Sequence, residues 1–82
     1  MPPSLRVRLG RAVRRLRRAL GHSQEAFADA IRVHRTYIGS VERGEVNLSL
    51  DNLERLAAGL SLAPWELLRE AEHETDATAP QP

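Results

Sequence analysis

The chain has 82 residues, of which 41% are hydrophobic and 28% charged, with 5 Gly, 5 Pro and no Cys. This length suits one small domain without the large cleft of a typical enzyme, and the lack of Cys excludes disulfides and thiolate metal sites. The formal net charge of +1 hides two halves of opposite sign: ten Arg against three acids in residues 1–44, and two Arg against eight acids in residues 45–82.

Apolar residues Leu9, Val13, Leu16 and Leu20 recur at helical spacing within an arc of about 60°, so a first helix is expected from Leu5 to Leu20, stopped by Gly21. Ser23 offers an N-cap for a second, short helix, with Glu25 in its first turn and Phe27, Ala28 and Ile31 as its buried stripe. Ile38 and Val41 mark a third helix ended by Gly44. Ser49 caps a fourth, carrying Leu53, Leu56, Ala57 and Leu60, and Pro64 fits the first position of a fifth, carrying Trp65 and Leu68. No stretch alternates like a strand, so the expected fold is all-α, a bundle of five short helices. Residues 1–72 form the expected domain, and 73–82 an acidic, Pro-containing tail without period that should be disordered.

The segment Gln24–Arg43 carries the main functional signal. Phe27, Ala28, Ile31, Val33, Ile38 and Val41 suit two short helices packed across a tight turn, with Ala28 small where the axes approach and Val33 plugging the turn. The opposite face, Arg35, Thr36, Gly39, Ser40 and Arg43, is polar or small throughout. A helix face of that kind can enter the major groove, where Arg reads guanine O6 and N7 and the Thr methyl touches thymine.

From Leu9 to Leu68 the sequence resembles the Cro/C1-type (XRE) helix-turn-helix regulators. The strings SQEAFADAI, VHRTYIGSVERGEVNLSLDNLERLA and PWELL look most like the controller proteins of restriction–modification systems. The resemblance implies a lambda-repressor-like bundle that binds a double-stranded DNA operator as a homodimer. By the same resemblance Gln24 bonds a phosphate, Arg35 and Thr36 reach base edges, Ser40 faces the groove, and Tyr37, Arg43 and Asn47 hold the backbone. It also pairs Arg17 with Glu42, and Arg17 lies about 40° beyond the apolar arc, where an ion pair can fold inward.

Four positions depart from the family pattern. Arg32 stands where glycine is usual in the turn, so a residue with Cβ is expected at positive φ. Glu45 and Val46 occupy a loop where related controllers often carry a basic base-reading residue; a carboxylate near phosphates repels, so weaker binding or altered specificity is expected, and Ala63 replaces the usual serine cap.

Other readings stand beside these. The arginines from Arg6 to Arg18 form a solvated helix face with a steering role, against a DNA-facing patch or an organelle transit segment. Tyr37 is either a boundary core residue or a phosphate contact. Trp65, Leu67 and Leu68 exceed what the fifth helix needs to dock, and a homodimer seam accounts for them, against simple core packing of Trp65. His22, His34 and His73 share no ligand spacing, so no metal, cofactor or small-molecule ligand is expected, and no credible triad exists. No segment nears the roughly 18 apolar residues of a membrane span, and no apolar signal core opens the chain, so a cytoplasmic protein is expected. The rivals are an antitoxin-like module that binds a protein partner and a membrane-surface binder using the first helix.

Overall fold

The computed structural model describes residues 3–74. It contains five helices: α1 (Leu5–Ala19), α2 (Gln24–Ile31), α3 (Arg35–Glu42), α4 (Leu50–Gly59) and α5 (Pro64–Glu72). No strand occurs among the described residues. The tail expected to be disordered lies outside them, apart from His73 and Glu74.

Local chemistry sets each boundary. Ser23 Oγ accepts from the Ala26 amide and Ser49 Oγ from the Asn52 amide, each satisfying a donor that the first turn leaves free. His34 caps α3 through Nδ1, which accepts from the Thr36 amide at 3.2 Å. At α5 the cap residue Ala63 has no acceptor of its own, but Glu66 reaches back to accept from the Ala63 amide at 2.8 Å, so half of a capping box survives.

Four helices end in the same way. Gly21, Arg32, Gly44 and Ser61 all take positive φ, and the following amide bonds a carbonyl five residues back: His22 to Arg17, Val33 to Ala28, Glu45 to Ser40 and Leu62 to Ala57. This is the Schellman ending, which favours glycine because a Cβ is strained there. Arg32, at φ 61°, adopts the left-handed conformation expected of it, and Ser61, at φ 60°, is a second such case that carries no glycine signal.

Phe27, Ile38, Leu56, Leu67 and Val13 are fully buried at the centre, with Leu9, Ala12, Ala28, Ile31, Val41, Leu53, Ala57, Leu60 and Ala71 around them. Helix α1 packs on α3 and α5, α2 on α3 and α4, and α4 on α5. The α1–α3 crossing is held close by Gly10, where an added Cβ would collide with the Val41 carbonyl oxygen and lie 2.8 Å from that of Glu42. Gly59 plays the same part against Ile31 and Phe27.

Two expectations need correction. Leu20 is half exposed, because α1 stops at Ala19 and carries its apolar arc past the end of the core. Leu67 is not at a surface seam: it is wholly buried, one turn before buried Ala71, on the face of α5 that meets α1 and α4. The sign that betrays it is the i, i+4 spacing of Leu67 and Ala71.

Candidate nucleic-acid interface

Helix α3 is amphipathic across a narrow boundary. Ile38 and Val41 seat it on the core, and its outer side presents Arg35, Thr36 and Arg43 exposed with Ser40 partly so. Gln24, from the first turn of α2, joins Arg35, Thr36, Gly39, Ser40 and Arg43 around one shallow hollow. No large apolar side chain lines it. Val33 is half-buried against the core and packs beneath the turn that sets α2 and α3 at their angle.

The hollow is braced from within. Arg17 Nε donates to Glu42 Oε2 at 2.6 Å and its Nη2 to Oε1 at 3.0 Å, a forked pair whose side chains are only 7% and 3% exposed. Arg17 Nη1 also donates to the His22 carbonyl at 2.7 Å, which ties α1 to the α1–α2 turn. Glu42 Oε1 accepts a further bond from Gln24 Nε2 at 3.0 Å. One buried carboxylate thus fixes α1, α3 and the side chain of Gln24 together. No buried side-chain polar atom among the described residues lacks a partner, which is the condition for a buried ion pair to be tolerated.

The outer side chains are also oriented. Thr36 Oγ1 lies 2.8 Å from His34 Nδ1, and Ser40 Oγ donates to the Thr36 carbonyl at 3.1 Å. Arg43 Nε donates to Glu45 Oε2 at 3.1 Å, and Arg35 Nη1 stands 3.7 Å from Glu25 Oε2. Tyr37 is a boundary residue: its ring is half-buried against the core, while its hydroxyl accepts from Asn52 Nδ2 at 2.9 Å and keeps its own proton for another acceptor. Asn47 is exposed in the α3–α4 loop, outside the hollow.

The structure therefore brings together Gln24, Arg35, Thr36, Ser40 and Arg43, with Arg17 and Glu42 beneath them and Tyr37 and Asn47 on the flank. Sequence reasoning placed Glu25 in the first turn of α2 and Glu45 in the loop near phosphates, but it paired neither with an arginine and gave Asn52 no part. For Glu25 and Glu45 a signal existed, since Glu45 follows Arg43 by two residues and Glu25 shares the first turn of α2 with Gln24.

The remaining candidates lie apart. Trp65 is 60% exposed, with the Arg69 guanidinium 5.1 Å from its ring centroid, and Leu68 is half-buried. Leu68 lines an apolar groove with Leu5, Leu9, Val46, Leu48, Leu50 and Leu53, in which Leu50 is 79% exposed. On the α1–α5 side, Arg15 bonds Glu70 at 2.9 Å and Glu74 at 3.0 Å, and Arg8 bonds Glu72 at 3.3 Å. The Glu70 bond above all, aided by Glu74, holds the Arg15 guanidinium above its ordinary pKa. Among the described residues no helix is long and apolar enough to cross a membrane, and no His, Cys, Asp or Glu cluster could hold a metal ion.

Comparison with known proteins finds the same fold. The helix-turn-helix family (HTH_3) matches residues 13–64. The control protein C.BamHI of Bacillus amyloliquefaciens is 41% identical over 69 residues, covering 83% of this chain and 85% of its own. Among solved structures, the clp gene regulator ClgR from C. glutamicum superposes with a TM-score of 0.84 at 31% identity, over 92% of this chain and 96% of the other. The restriction–modification controller C.Esp1396I, solved as a tetramer on its natural operator, superposes with a TM-score of 0.73 at 28% identity, over 85% and 97%. With its α2–α3 unit built as above and the match spanning most of its length, the chain belongs to the helix-turn-helix family, in the Cro/C1-type branch that its sequence resembles.

Proposed function

We propose that this protein is a cytoplasmic, non-enzymatic transcriptional regulator that binds a pseudo-palindromic DNA operator as a homodimer. One α3 enters each of two successive major grooves about 34 Å apart. The carrying observation is the hollow on α2 and α3, lined only by polar or small side chains and braced by the buried Arg17–Glu42 pair. Arg35, Thr36 and Ser40 face base edges. Gln24, Tyr37, Arg43 and Asn47 hold phosphates, Gln24 with the amide hydrogen that Glu42 leaves free. Trp65 and Leu68 form the seam between copies, since the exposed Trp65 ring and the part of half-buried Leu68 that the core leaves uncovered are poorly placed in water. C.BamHI is named a control protein and C.Esp1396I is seen on its own operator as a tetramer, which supports a controller that acts on DNA upstream of its own gene.

Fluorescence anisotropy with that upstream DNA against scrambled DNA, across a salt series, tests the reading. Binding on the order of nanomolar to the upstream DNA, with a log–log salt slope of about −5 to −8 for a dimer, is expected. Equal, weak binding to both sequences would defeat the autoregulator, and no binding to either would defeat DNA recognition itself.

A further inference from the structure

Three donors of the hollow already have a carboxylate of the same chain beside them. Gln24 rests on Glu42, Arg43 on Glu45 at 3.1 Å, and Arg35 on Glu25 at 3.7 Å. The first of these carboxylates is buried and structural. The other two differ, because both partners of each pair stand in solvent, with side chains 61% and 57% exposed for Arg43–Glu45 and 66% and 69% for Arg35–Glu25. Glu25 lies at the N-terminal end of α3, Glu45 just past its C-terminal end, so the two acids bracket the reading helix.

The geometry points to Glu25 and Glu45 as an electrostatic gate on the DNA face, acids whose role is to compete with nucleic-acid acceptors for Arg35 and Arg43 and so hold affinity down. The inference rests on the DNA-binding reading above and adds to it a control on strength. Two effects act in the same direction. Each carboxylate offsets part of the positive charge that its guanidinium offers to a phosphate or a base edge, and it faces the phosphate backbone as a like charge itself. Competition of this kind weakens every duplex, so the gate sets the concentration at which the operator fills and does not choose the operator. It also flattens the salt response, since an arginine already neutralised within the chain releases fewer counterions on binding.

The test compares the full chain with Glu25→Gln, Glu45→Gln and a charge-matched control, Glu54→Gln, which sits on α4 beside the start of α5. Affinities are read on the upstream DNA and on scrambled DNA, across the salt series. Each gate variant is expected to bind both DNAs tighter, by about 3- to 10-fold per protomer, the scale of an exposed ion pair together with relieved repulsion. The salt slope should steepen by about 0.9 per protomer, the increment for one more phosphate neutralised. Glu54→Gln should produce neither change. In an Arg43→Ala background, Glu45→Gln should lose most of its gain, because the guanidinium it releases is gone.

A parent that binds DNA while both gate variants match it overturns the gate alone. Weaker operator binding by Glu45→Gln, confined to one base pair, overturns it in favour of a carboxylate that accepts from cytosine N4. An equal gain in the Glu54→Gln control overturns it in favour of net charge acting at long range. If neither the parent nor any variant binds DNA, the DNA-binding reading falls and the gate falls with it.

Discussion

The seam between α1 and α3 and the outer face of α3 both join arginine to glutamate, at opposite extremes of burial. Arg17–Glu42 is forked, short and almost wholly enclosed, and none of its buried side-chain polar atoms lacks a partner. Arg35–Glu25 and Arg43–Glu45 are single, longer and open to water. The same chemistry therefore does different work. An enclosed pair fixes one geometry, because losing either partner strands a charge where water cannot reach it. An open pair is exchanged for another acceptor at little cost, which is what a binding face requires.

Removing one side of the enclosed pair should break the comparison most visibly. Glu42→Ala leaves the Arg17 guanidinium buried without its carboxylate and Gln24 without its acceptor, so a loss of about 3–5 kcal/mol is expected in chemical denaturation. Glu45→Ala should leave the midpoint almost unmoved. Equal losses from the two would show that exposure does not separate their roles.

The seam also depends on the glycine that lets α1 and α3 approach. Gly10→Ala aims a Cβ at two backbone carbonyls, Val41 and Glu42, neither of which can rotate away. A cost of about 2–3 kcal/mol is expected. Gly39, on the outer face, gives the contrast: its added Cβ would meet the Arg43 Nη1 at 3.1 Å, the far end of a flexible side chain. Gly39→Ala should therefore spare stability and be felt in DNA binding, a split that thermal melting and anisotropy together would resolve.

On the outer face, base readers and positioners should separate by sequence dependence. Arg35→Ala is expected to cost about 1–3 kcal/mol on the operator and to relax preference at one base pair. Gln24→Ala should weaken operator and scrambled DNA alike. Equal losses on both DNAs for Arg35→Ala would remove it from the base-reading set.

These contrasts also show what the sequence discloses. Five helices were legible because their apolar residues recur at 3.6-residue spacing and Ser23, Ser49, Gly21, Gly44 and Pro64 punctuate them with known backbone preferences. Arg17–Glu42 was legible too, since the resemblance named both positions and periodicity set Arg17 at the edge of the buried arc. Periodicity tells which way a side chain points but not what stands opposite. For that reason Leu67 read as a seam residue while α1 and α4 in fact enclose it, Leu20 read as part of the packed arc though it is half exposed, and the arginine partners of Glu25 and Glu45 went unread. Gly10 and Gly59 drew no notice for the same reason, because their constraint comes from a neighbouring helix and not from their own backbone.

The smallest expected effect concerns the turns. Arg32 and Ser61 end α2 and α4 in the left-handed conformation that Gly21 and Gly44 adopt for α1 and α3. A Cβ there costs about 1–2 kcal/mol, and glycine returns part of the relief through its greater freedom in the unfolded chain, so Arg32→Gly and Ser61→Gly should each stabilise by about 0.5–1 kcal/mol. For a domain of this size the melting temperature should rise by about 2–8 °C. Ser61 lies at the α4–α5 turn and Arg32 between the two helices of the reading unit, so their DNA phenotypes divide them. Ser61→Gly should leave binding unchanged. Arg32→Gly removes an exposed positive charge next to α3 and should slow association at low salt while raising stability. A stabilised Ser61→Gly beside an unstabilised Arg32→Gly would mean that the arginine side chain supports the turn by more than its strain costs, and the departure from glycine would then be a feature of the fold.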